Sequence, residues 1–469
     1  MSEYKSRFCP SPTGFLHLGN LRTALLNVLL AMQTKGTFLL RIEDTDQERS
    51  EKRYTDAVCE DLIWMNLNWQ EGPIVGGDQD SYFQSERNEI YASFYERLLE
   101  KNLIYPCFMS EQELKVIRRN QIASGQPPRY NGAWANATED EVKREFSKGS
   151  KPVYRFRLPK DKVITFVDLV KGEQNFSGSD LDDFIVKKQD GSPTFMFANA
   201  IDDSLMGVNI VLRGDDHLSN TPRQIALLKA LDLPIPQFIH VALFIGDDGS
   251  PLSKRNGSLS VQELREAGYF PKAVANYLSR VGHRISDNEL RSLEELSTVF
   301  KINNISNSPS RFDLDQLGFW QKKVIESEST ENLVLWLREH LKEILPAEID
   351  QNQFVELIRE NILFPKDAVE YAKSLFIHPL ASNEEISIII NKTGSNFFNI
   401  AKDSVQENWG DWSKVMKNIG EKSGNKGREL FMPIRAAITG QLSGPELDQV
   451  IELLEIERVL RRLEEASQL

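Results

Sequence analysis

The sequence predicts an α/β protein: a doubly wound parallel sheet with an inserted α+β segment, followed by an all-α C-terminal region. Strand candidates at YKSRFC (4–9) and FLLRIE (38–43) enclose an amphipathic helix, which is the order of a βαβ unit. Strand candidates return at residues 184–198 and 208–214, and from about residue 260 the apolar residues recur almost wholly with helical spacing. At ~150 residues per domain, the length of 469 residues is enough for about three domains.

The composition is that of an ordinary globular protein. Hydrophobic residues make up 40% and charged residues 27% of the chain, and no apolar run approaches the ~20 residues of a membrane span. The N-terminal stretch has no apolar signal core, and Cys9, Cys59 and Cys107 lie far apart, so we expect a cytoplasmic protein with reduced thiols. The net charge of −13 argues against unspecific coating of nucleic acid but allows a local basic face.

The first predicted helix follows the turn PSPTGFLHLGN (10–20) and stops at Lys35-Gly36. FLLRIE then has the apolar run typical of a buried parallel strand. Doubly wound sheets bind ligands beyond the carboxyl ends of their strands, so we expect the functional site there. One face of the helix is formed by Leu21, Leu25, Val28 and Met32.

Changes of pattern along the chain predict the domain boundaries. Residues 106–189 mix helix and strand signals and are rich in turns, so we interpret them as an insertion in the sheet domain. A helical segment, TPRQIALLKALDL (221–233), follows the last strand candidate. We therefore expect a sheet domain over residues 1–325 and a helical region over 326–469, with two subdomains that divide near residue 375.

The turn at 10–20 is the first candidate site. Gly14 and Gly19 allow a ligand to approach the backbone, and the following helix N-terminus favours negative charge. His17 can donate hydrogen bonds to phosphate oxygens. A Pro/Gly-rich turn with one histidine is more often a plain loop, but its position between a strand and an amphipathic helix favours a phosphate site.

Charged residues follow several predicted strands. Glu43 is the acid best placed to bind an ammonium group, although solvated loop acids are the commoner explanation of such a cluster. Arg7 and Arg213 have the same strand-end context, and two arginines near one crevice suit a ligand that carries carboxylates. The alternative is that each arginine pairs with a local acid. The acids expected at strand ends are Glu43, Asp44, Asp46, Asp202, Asp203, Asp215 and Asp216.

The segment GDDGSPLSKRNGS (246–258) has the composition of a polar, basic loop flanked by glycines. Ser253, Lys254 and Arg255 are at its predicted tip. Many surface loops contain such a triplet. Next to a phosphate site, however, it supplies the cation that a phosphoryl or nucleotidyl transition state needs.

Together these motifs resemble those of the class I aminoacyl-tRNA synthetases. His17-Leu18-Gly19-Asn20 is similar to their HIGH signature, and Leu252-Ser253-Lys254-Arg255 is similar to their KMSKS loop. The surrounding stretches RFCPSPTGFLHLGNLRTALLN, LRIEDTD, VLRGDDHLSNTPRQI and LSKRNGSLSVQELREAGYFPKAVANYL resemble bacterial-type glutamyl-tRNA synthetases. The similarity continues through SPSRFDLDQL and GRELFMPIRAAITG, so it covers nearly the whole chain.

The resemblance implies a Rossmann-type catalytic domain and a two-step reaction. Glutamate and Mg·ATP give glutamyl-adenylate and pyrophosphate, and the 3′-terminal adenosine of tRNA-Glu then takes the glutamyl group. His17 and Lys254 would be the catalytic residues. The implied ATP-binding residues are Pro10, Ser11, Thr13, Gly14, His17, Gly19, Asn20, Leu252, Ser253, Lys254 and Arg255.

For the amino acid, the resemblance implies that arginines hold the carboxylates and that Glu43 holds the ammonium group. A fixed cation separates glutamate from glutamine, which presents a neutral amide instead. The implied glutamate-binding residues are Arg7, Ser11, Glu43, Phe195, Asn199 and Arg213.

Three positions depart from the pattern of the family. Phe195 replaces a common tyrosine, which removes a hydroxyl, and Pro251 replaces a lysine at the start of the basic loop. Some relatives hold zinc in the inserted segment through several cysteines, but here that segment keeps only Cys107. One thiol cannot supply the ~4 ligands of a structural zinc site, so we expect no zinc.

The helical C-terminal part would bind the anticodon, with a stem-contact region at about 255–325. A solvated helical bundle is the simpler explanation of such helices. The segment 413–435 is nevertheless basic, and a local excess of positive charge can contact phosphates. The candidate tRNA-binding residues are Lys414, Lys417, Lys422, Lys426, Arg428 and Arg435.

Three other classes of protein share some of these motifs. A tRNA-modifying glutamyl transferase and a small-molecule nucleotidyltransferase have no use for the long helical region, and a non-catalytic RNA-binding protein would not need His17, Gly19 and Lys254. The sequence does not decide between tRNA-Glu alone, tRNA-Glu with tRNA-Gln, and specialisation on one isoacceptor. We expect a monomer.

Overall fold

In the computed structural model, residues 3–46, 48–246, 249 and 259–469 are described. They divide into two compact units, Met1–Leu264 with Pro271–Leu314 and Arg265–Phe270 with Asp315–Leu469. Within the described residues, no helix combines the length and the apolar character that a bilayer crossing requires.

All the strands described lie in the first unit. They are β1 (Lys5–Phe8), β2 (Thr37–Leu40), β3 (Ile104–Cys107), β4 (Val153–Phe156), β5 (Val163–Asp168), β6 (Gly172–Ser177), β7 (Ile185–Lys187), β8 (Ile210–Gly214), β9 (Gln237–Val241), β10 (Phe244–Ile245) and β11 (Ser310–Arg311). The helices that belong wholly or mainly to this unit are α1 (Leu18–Thr34), α2 (Lys52–Trp64), α3 (Asn88–Glu100), α4 (Glu111–Ala123), α5 (Glu139–Ser147), α6 (Phe195–Leu205), α7 (Thr221–Ala230), α8 (Val261–Ala267), α9 (Pro271–Leu278) and α10 (Leu293–Val299).

Parallel pairing of short, buried strands forms the centre of the first unit. β1 pairs with β2, and β8 pairs with β9, in both cases in parallel. The amide of Asn209 donates to the carbonyl of Lys5 at 3.2 Å, which brings the start of β8 beside β1. β5 continues the sheet on the far side of β9, and β6 follows it as an antiparallel edge strand. This arrangement, with helices following the strands, agrees with the predicted α/β fold.

α1 forms where the apolar pattern predicted it, and each of its ends has a local cause. His17 is the N-cap, because its Nδ1 accepts the backbone N–H of Gly19 at 3.1 Å. At the other end Lys35 adopts a left-handed conformation, with a φ of 55°. Gly36 follows, and a Cβ there would lie 2.0 Å from the carbonyl oxygen of Tyr4, so only glycine fits.

The inserted segment is α+β, as predicted. β3, β4 and β7 form an antiparallel sheet, and α4 and α5 each begin with a capping box. A small core beside this sheet contains Tyr105, Cys107 and Tyr130. β7 leads the chain back to the central sheet.

One strand prediction was wrong. Within residues 184–198 only Ile185–Lys187 is a strand, and Phe195 begins α6. The aromatic run FMF has high strand propensity, but its period is helical once the following residues are included: Phe197, Ala198 and Ile201 are all buried. Consequently Asp202 and Asp203 lie within a helix and not at a strand end.

The second unit is helical. One cluster of buried side chains runs from Ile325 to Ala466, and the predicted subdomain division near residue 375 stays a prediction. Its helices are α11 (Leu314–Ser327), α12 (Thr330–Leu341), α13 (Gln351–Ile358), α14 (Pro365–Phe376), α15 (Glu384–Thr393), α16 (Ser395–Asn408), α17 (Trp412–Ser423), α18 (Arg428–Thr439), α19 (Leu447–Leu453) and α20 (Ile456–Gln468).

Candidate active site

A cavity of about 570 Å³ opens at the carboxyl ends of β1, β8 and β9, beside the N-terminus of α1. This is the edge at which doubly wound sheets bind ligands. Thr13 and Gly14 do not line it, and Leu252, Ser253, Lys254 and Arg255 lie outside the described residues. The predicted site residues that it brings together are Arg7, Pro10, Ser11, His17, Gly19, Asn20, Glu43, Phe195, Asn199 and Arg213.

His17 caps the N-terminus of α1 with one ring nitrogen and lines the cavity. Nδ1 accepts from Gly19, so a neutral imidazole carries its proton on Nε2. Desolvation by the surrounding protein lowers the pKa of His17 below its ordinary 6.5, which favours that neutral form. The residue also pairs with Ser260, which follows Lys254 by six positions in the sequence. A neutral imidazole that carries its proton on Nε2 at a helix N-terminus is suited to a phosphate oxygen.

Arg213 lies at the end of β8 and is 5% exposed. Its Nη2 donates to Thr221 Oγ1 and to Gln224 Oε1, each at 2.8 Å. Burial lowers its pKa to about 9, and the neighbouring charge of Arg7 contributes to that shift. Among the described residues, Nη1 has no hydrogen-bond partner. A buried guanidinium with one such nitrogen, in a residue that lines the cavity, is suited to an anionic ligand.

Arg7 reaches the same cavity and is held by an acid. Its Nε donates to Asp203 at 3.2 Å. Arg7 therefore pairs with an acid, as the alternative explanation of the strand-end arginines expects, and it lines the cavity as well. Asp203 also accepts from Arg41 Nη2 at 2.7 Å, and the two arginines hold its pKa below the usual range despite burial. Asp202 lies 3.9 Å from Arg41 as well, so Arg41 is shared between two acids, whereas Arg7 and Arg213 both line the cavity and are the cations suited to a carboxylate ligand.

Sequence reasoning missed Arg41, which is fully buried in the segment that follows β2. Its Nη2 also donates to Asn199 Oδ1 at 2.8 Å, while Asn199 Nδ2 donates to the carbonyl of Phe195. Both ends of the Asn199 amide are therefore committed. The available signal was an arginine within the apolar run FLLRIE, since a charged residue in a buried strand needs a partner.

Glu43 follows β2 and lines the same cavity as Arg7 and Arg213. Its Oε2 accepts the hydroxyl of Ser11 at 2.7 Å. Burial raises the pKa of Glu43 from its ordinary 4.5 to about 7, although Ser11 and Arg41 oppose that shift. Keeping a buried carboxylate charged costs free energy. A bound cation such as an ammonium group would stabilise the charged form.

Another part of the cavity lining combines Phe195 with a residue that the sequence analysis did not single out, His217. Their rings are 5.2 Å apart at an angle of 37°. Burial, together with the charge of Arg213, lowers the pKa of His217 to about 4, so its imidazole is neutral at pH 7. Phe195 itself offers an apolar face to the ligand.

In the inserted segment, Cys107 packs in a small core with the aromatic side chains of Tyr105 and Tyr130. Cys107 lies 3.6 Å from the hydroxyl of Tyr130, and that hydroxyl accepts the backbone N–H of Trp134 at 2.9 Å. Across the described part of the chain, no group of three or more His, Cys, Asp or Glu residues is arranged to hold a metal ion.

The predicted tRNA-binding residues differ in how far they are already committed. Lys417 pairs with Glu421 at 3.9 Å, and Lys422 pairs with Glu407 at 3.0 Å. Arg435 donates to the carbonyl of Pro445 at 2.8 Å. Lys414, Lys426 and Arg428 make no ion pair within the described residues.

Comparison with known proteins assigns both parts of the chain. A profile described as "tRNA synthetases class I (E and Q), catalytic domain" matches residues 3–319, and one described as "Anticodon binding domain" matches residues 330–467. A Nitrosococcus oceani protein named glutamate--tRNA ligase 2 is 47% identical over 460 residues, which are 98% of this chain and 97% of that one. A Methylococcus capsulatus glutamate--tRNA ligase 1 is 46% identical over 465 residues, 99% of each chain.

Solved structures show the same similarity in three dimensions. The glutamate-tRNA synthetase of Elizabethkingia anophelis superposes with a TM-score of 0.88 at 28% identity and covers 100% of both chains. A glutamate tRNA ligase from Elizabethkingia meningosepticum, solved in complex with its amino acid, gives a TM-score of 0.86 at 27% identity and covers 100% of this chain and 99% of that one. The family resemblance of the motifs and the predicted fold class are both confirmed.

Proposed function

Because the chain belongs to the glutamate–tRNA ligase family of class I tRNA synthetases, we propose that it activates L-glutamate with Mg·ATP and transfers the glutamyl group to the 3′-terminal adenosine of tRNA-Glu. The observation that carries this function is the composition of one cavity. Arg7 and Arg213, Glu43 with its hydrogen bond from Ser11, and His17 at the N-terminus of α1 all line it. These are the charges needed by an amino acid with two carboxylates and one ammonium group, placed next to a phosphate.

In the first step a carboxylate oxygen of glutamate attacks the α-phosphorus of ATP, and the bond to pyrophosphate breaks. The N–H at Nε2 of His17 and the first backbone N–H groups of α1 are proposed to stabilise the charge on the phosphates. Lys254 is proposed to add its charge on the pyrophosphate side. Loss of one such donor typically costs ~3 kcal/mol of barrier, or ~100-fold in rate.

In the second step the terminal ribose hydroxyl of the tRNA attacks the activated carbonyl, and AMP leaves. Neither step requires a protein nucleophile, so positioning and electrostatic stabilisation account for the proposed catalysis. Arg213 Nη1 is proposed to bind a carboxylate of glutamate, and glutamine is disfavoured because its amide would bring no negative charge to this cation.

Aminoacylation with purified tRNA-Glu and tRNA-Gln, measured side by side with glutamate and with glutamine, tests this function. We expect charging of tRNA-Glu with glutamate, and exchange of pyrophosphate into ATP that depends on glutamate, measured with and without tRNA. Charging of tRNA-Gln with glutamate would show that the protein accepts both tRNAs. Absence of charging on both tRNAs, with folded protein and intact tRNA, would overturn the proposal.

We propose that the structure of the inserted segment does not depend on zinc, because aromatic packing around Tyr130 occupies the side of Cys107. Metal analysis of the purified protein should find no stoichiometric zinc, and a chelator should leave the melting temperature unchanged. One zinc per chain would refute this.

We also propose that the protein is a monomer. Sedimentation at micromolar concentration tests this proposal.

A further inference from the structure

Three buried side chains on neighbouring strands form a line that ends at the cavity. Asp168 closes β5, His240 lies on β9 and Arg213 lies on β8. The strands are adjacent, and Arg213 and His240 are register partners in the parallel pair. Asp168 Oδ2 lies 2.7 Å from His240 Nδ1, and Arg213 Nε donates to His240 Nε2 at 3.2 Å. The exposed fractions are 1%, 0% and 5%.

The chemistry of the donors fixes the protonation state of the histidine. A guanidinium can only donate, so Nε2 of His240 must present its lone pair to Arg213. The ring proton is therefore on Nδ1, which donates to Asp168. Burial lowers the pKa of His240 below 6.5, although Asp168 opposes the shift, and this favours the neutral ring.

Asp168 is itself held rigidly as an acceptor. Its Oδ1 accepts the backbone N–H groups of Val170 and Lys171 at 2.9 and 2.7 Å, and its Oδ2 accepts the backbone N–H of His240 at 3.1 Å. The side-chain hydrogen bond from His240, together with the backbone N–H groups of Lys171 and Val170, keeps the pKa of Asp168 below its usual value in spite of burial. A carboxylate with every acceptor direction used allows the histidine only one orientation.

We propose that Asp168 and His240 are positioning residues that orient Arg213 for binding a carboxylate of glutamate. The histidine fixes Nε, while Thr221 and Gln224 fix Nη2, so the plane of the guanidinium is set. Nη1 has no hydrogen-bond partner among the described residues, and Arg213 lines the cavity. This inference rests on the proposed function, because it takes glutamate to be the ligand. The competing explanation is that the buried pair only stabilises the sheet.

Two substitutions of His240 separate positioning from stability. His240→Asn keeps a polar atom near the position of Nδ1 and can still donate to Asp168, but it has no acceptor that reaches Arg213. His240→Gln places an amide oxygen near the position of Nε2 and can still accept from Arg213. Both variants replace the ring with an amide in the same buried place, so each is the control for the other.

We expect His240→Asn to raise the KM for glutamate by roughly 10- to 100-fold, the range associated with a hydrogen bond to a charged group. His240→Gln should recover most of that loss, and the KM for ATP should change little in either variant. Equal glutamate KM values for the two variants, or changes that simply follow their melting temperatures, would overturn the inference.

A measurement on the unmodified full chain covers the case in which both variants fail to fold. With ¹⁵N-labelled histidine, NMR should show two of the six imidazoles as neutral rings protonated on Nδ1 at pH 7, His240 and His283, because Nε2 of His283 accepts the backbone N–H of Lys301 at 3.1 Å. The resonance of His283 is assigned by its loss in His283→Gln, which leaves the second Nδ1–H ring as that of His240. If the only imidazole in the Nδ1–H state is that of His283, the inference fails. If the wild type fails to charge tRNA with glutamate, the proposed function is overturned. The protonated nitrogen of His240 can still be determined by NMR in that case.

Discussion

Arg7 is the strand-end arginine whose removal tests the carboxylate site most simply. In Arg7→Ala, Asp203 keeps its 2.7 Å contact with Arg41, so the buried acid is not left unpaired and the fold should persist. Loss of one charge-assisted contact should raise the KM for glutamate by roughly 10- to 100-fold, with little change in the KM for ATP. Steady-state aminoacylation kinetics provide the measurement.

Arg223→Ala is the matched control for that substitution. Arg223 is also an arginine of the first unit in an ion pair, with its Nη2 2.7 Å from Asp182, but it does not line the cavity. Its glutamate KM should stay at the wild-type value. An unchanged glutamate KM in Arg7→Ala would remove Arg7 from the proposed binding site.

Glu43 gives the site a predicted pH dependence. Its pKa of about 7 means that the free protein loses this carboxylate's charge as the pH falls through 7, so kcat/KM for glutamate should decline on the acid side of that value. Between pH 4.5 and 7 the folded state binds more protons at Glu43 than the unfolded state does. This group therefore lowers the free energy of unfolding as the pH rises through that window.

Glu43→Gln isolates this effect. The variant keeps the shape of the side chain and an oxygen that can accept from Ser11, but it has no ionisation. Its kcat/KM should be low and should lack the acid limb near pH 7. An acid limb that persists in the variant would assign the titration to another group.

The residues that could be predicted from the sequence are those in local motifs. Arg7 lies in a recognisable strand, and His17 and Glu43 lie in segments that follow such strands, so their chemistry and their place at the sheet edge follow from short stretches. Asp168 and His240 could not be predicted, because they meet only when β5 and β9 become neighbours, and strand order is not encoded in a local pattern.

The N-terminus of α1 combines a structural and a proposed catalytic role in one imidazole. His17→Asn should separate them, because the asparagine Oδ1 can accept from Gly19 while the donor at Nε2 is lost. We expect a thermal stability close to that of the wild type and a kcat reduced by ~100-fold. Thermal unfolding and single-turnover kinetics together provide the test.

His17→Ala supplies the comparison. It removes the cap as well as the donor, so it should lower the free energy of unfolding by ~1 kcal/mol in addition to the kinetic loss. Equal stability of the alanine and asparagine variants would show that Nδ1 contributes no capping energy. A wild-type kcat in the asparagine variant would exclude the proposed contact with phosphate.

α6 shows why one element was assigned wrongly. Its first residues have high strand propensity, and the helix is decided by burial of Phe197 and Ile201 on one face together with the buried acids that follow. Asp202 accepts from Arg87 at 2.9 Å, and Asp203 accepts from Arg7 and Arg41. These ion pairs with arginines distant in the sequence stabilise the two buried acids. Local secondary-structure propensity does not indicate such long-range pairs.

The charge of the whole chain, −13, conflicts with tRNA binding unless positive charge is concentrated locally. The structure distinguishes two kinds of lysine in the basic segment of the second unit. Lys417 and Lys422 are paired with acids, whereas Lys414 and Lys426 make no ion pair among the residues that are described. Unpaired lysines can neutralise phosphates at lower cost, because no existing pair has to break.

Replacing Lys414 and Lys426 with Gln should therefore weaken tRNA binding and reduce the slope of log K against log salt by roughly 1 to 2, since each lost phosphate contact contributes ~0.7 to 0.9. Replacing Lys417 and Lys422 is the matched control, with the same change in total charge and a smaller expected loss of slope. Binding of tRNA-Glu across a salt series provides the measurement, and the KM for glutamate should not change in either double variant.

Equal slopes in the two variants would show that only total charge matters. A slope unchanged from the wild type in Lys414→Gln/Lys426→Gln would place the phosphate contacts elsewhere on the chain.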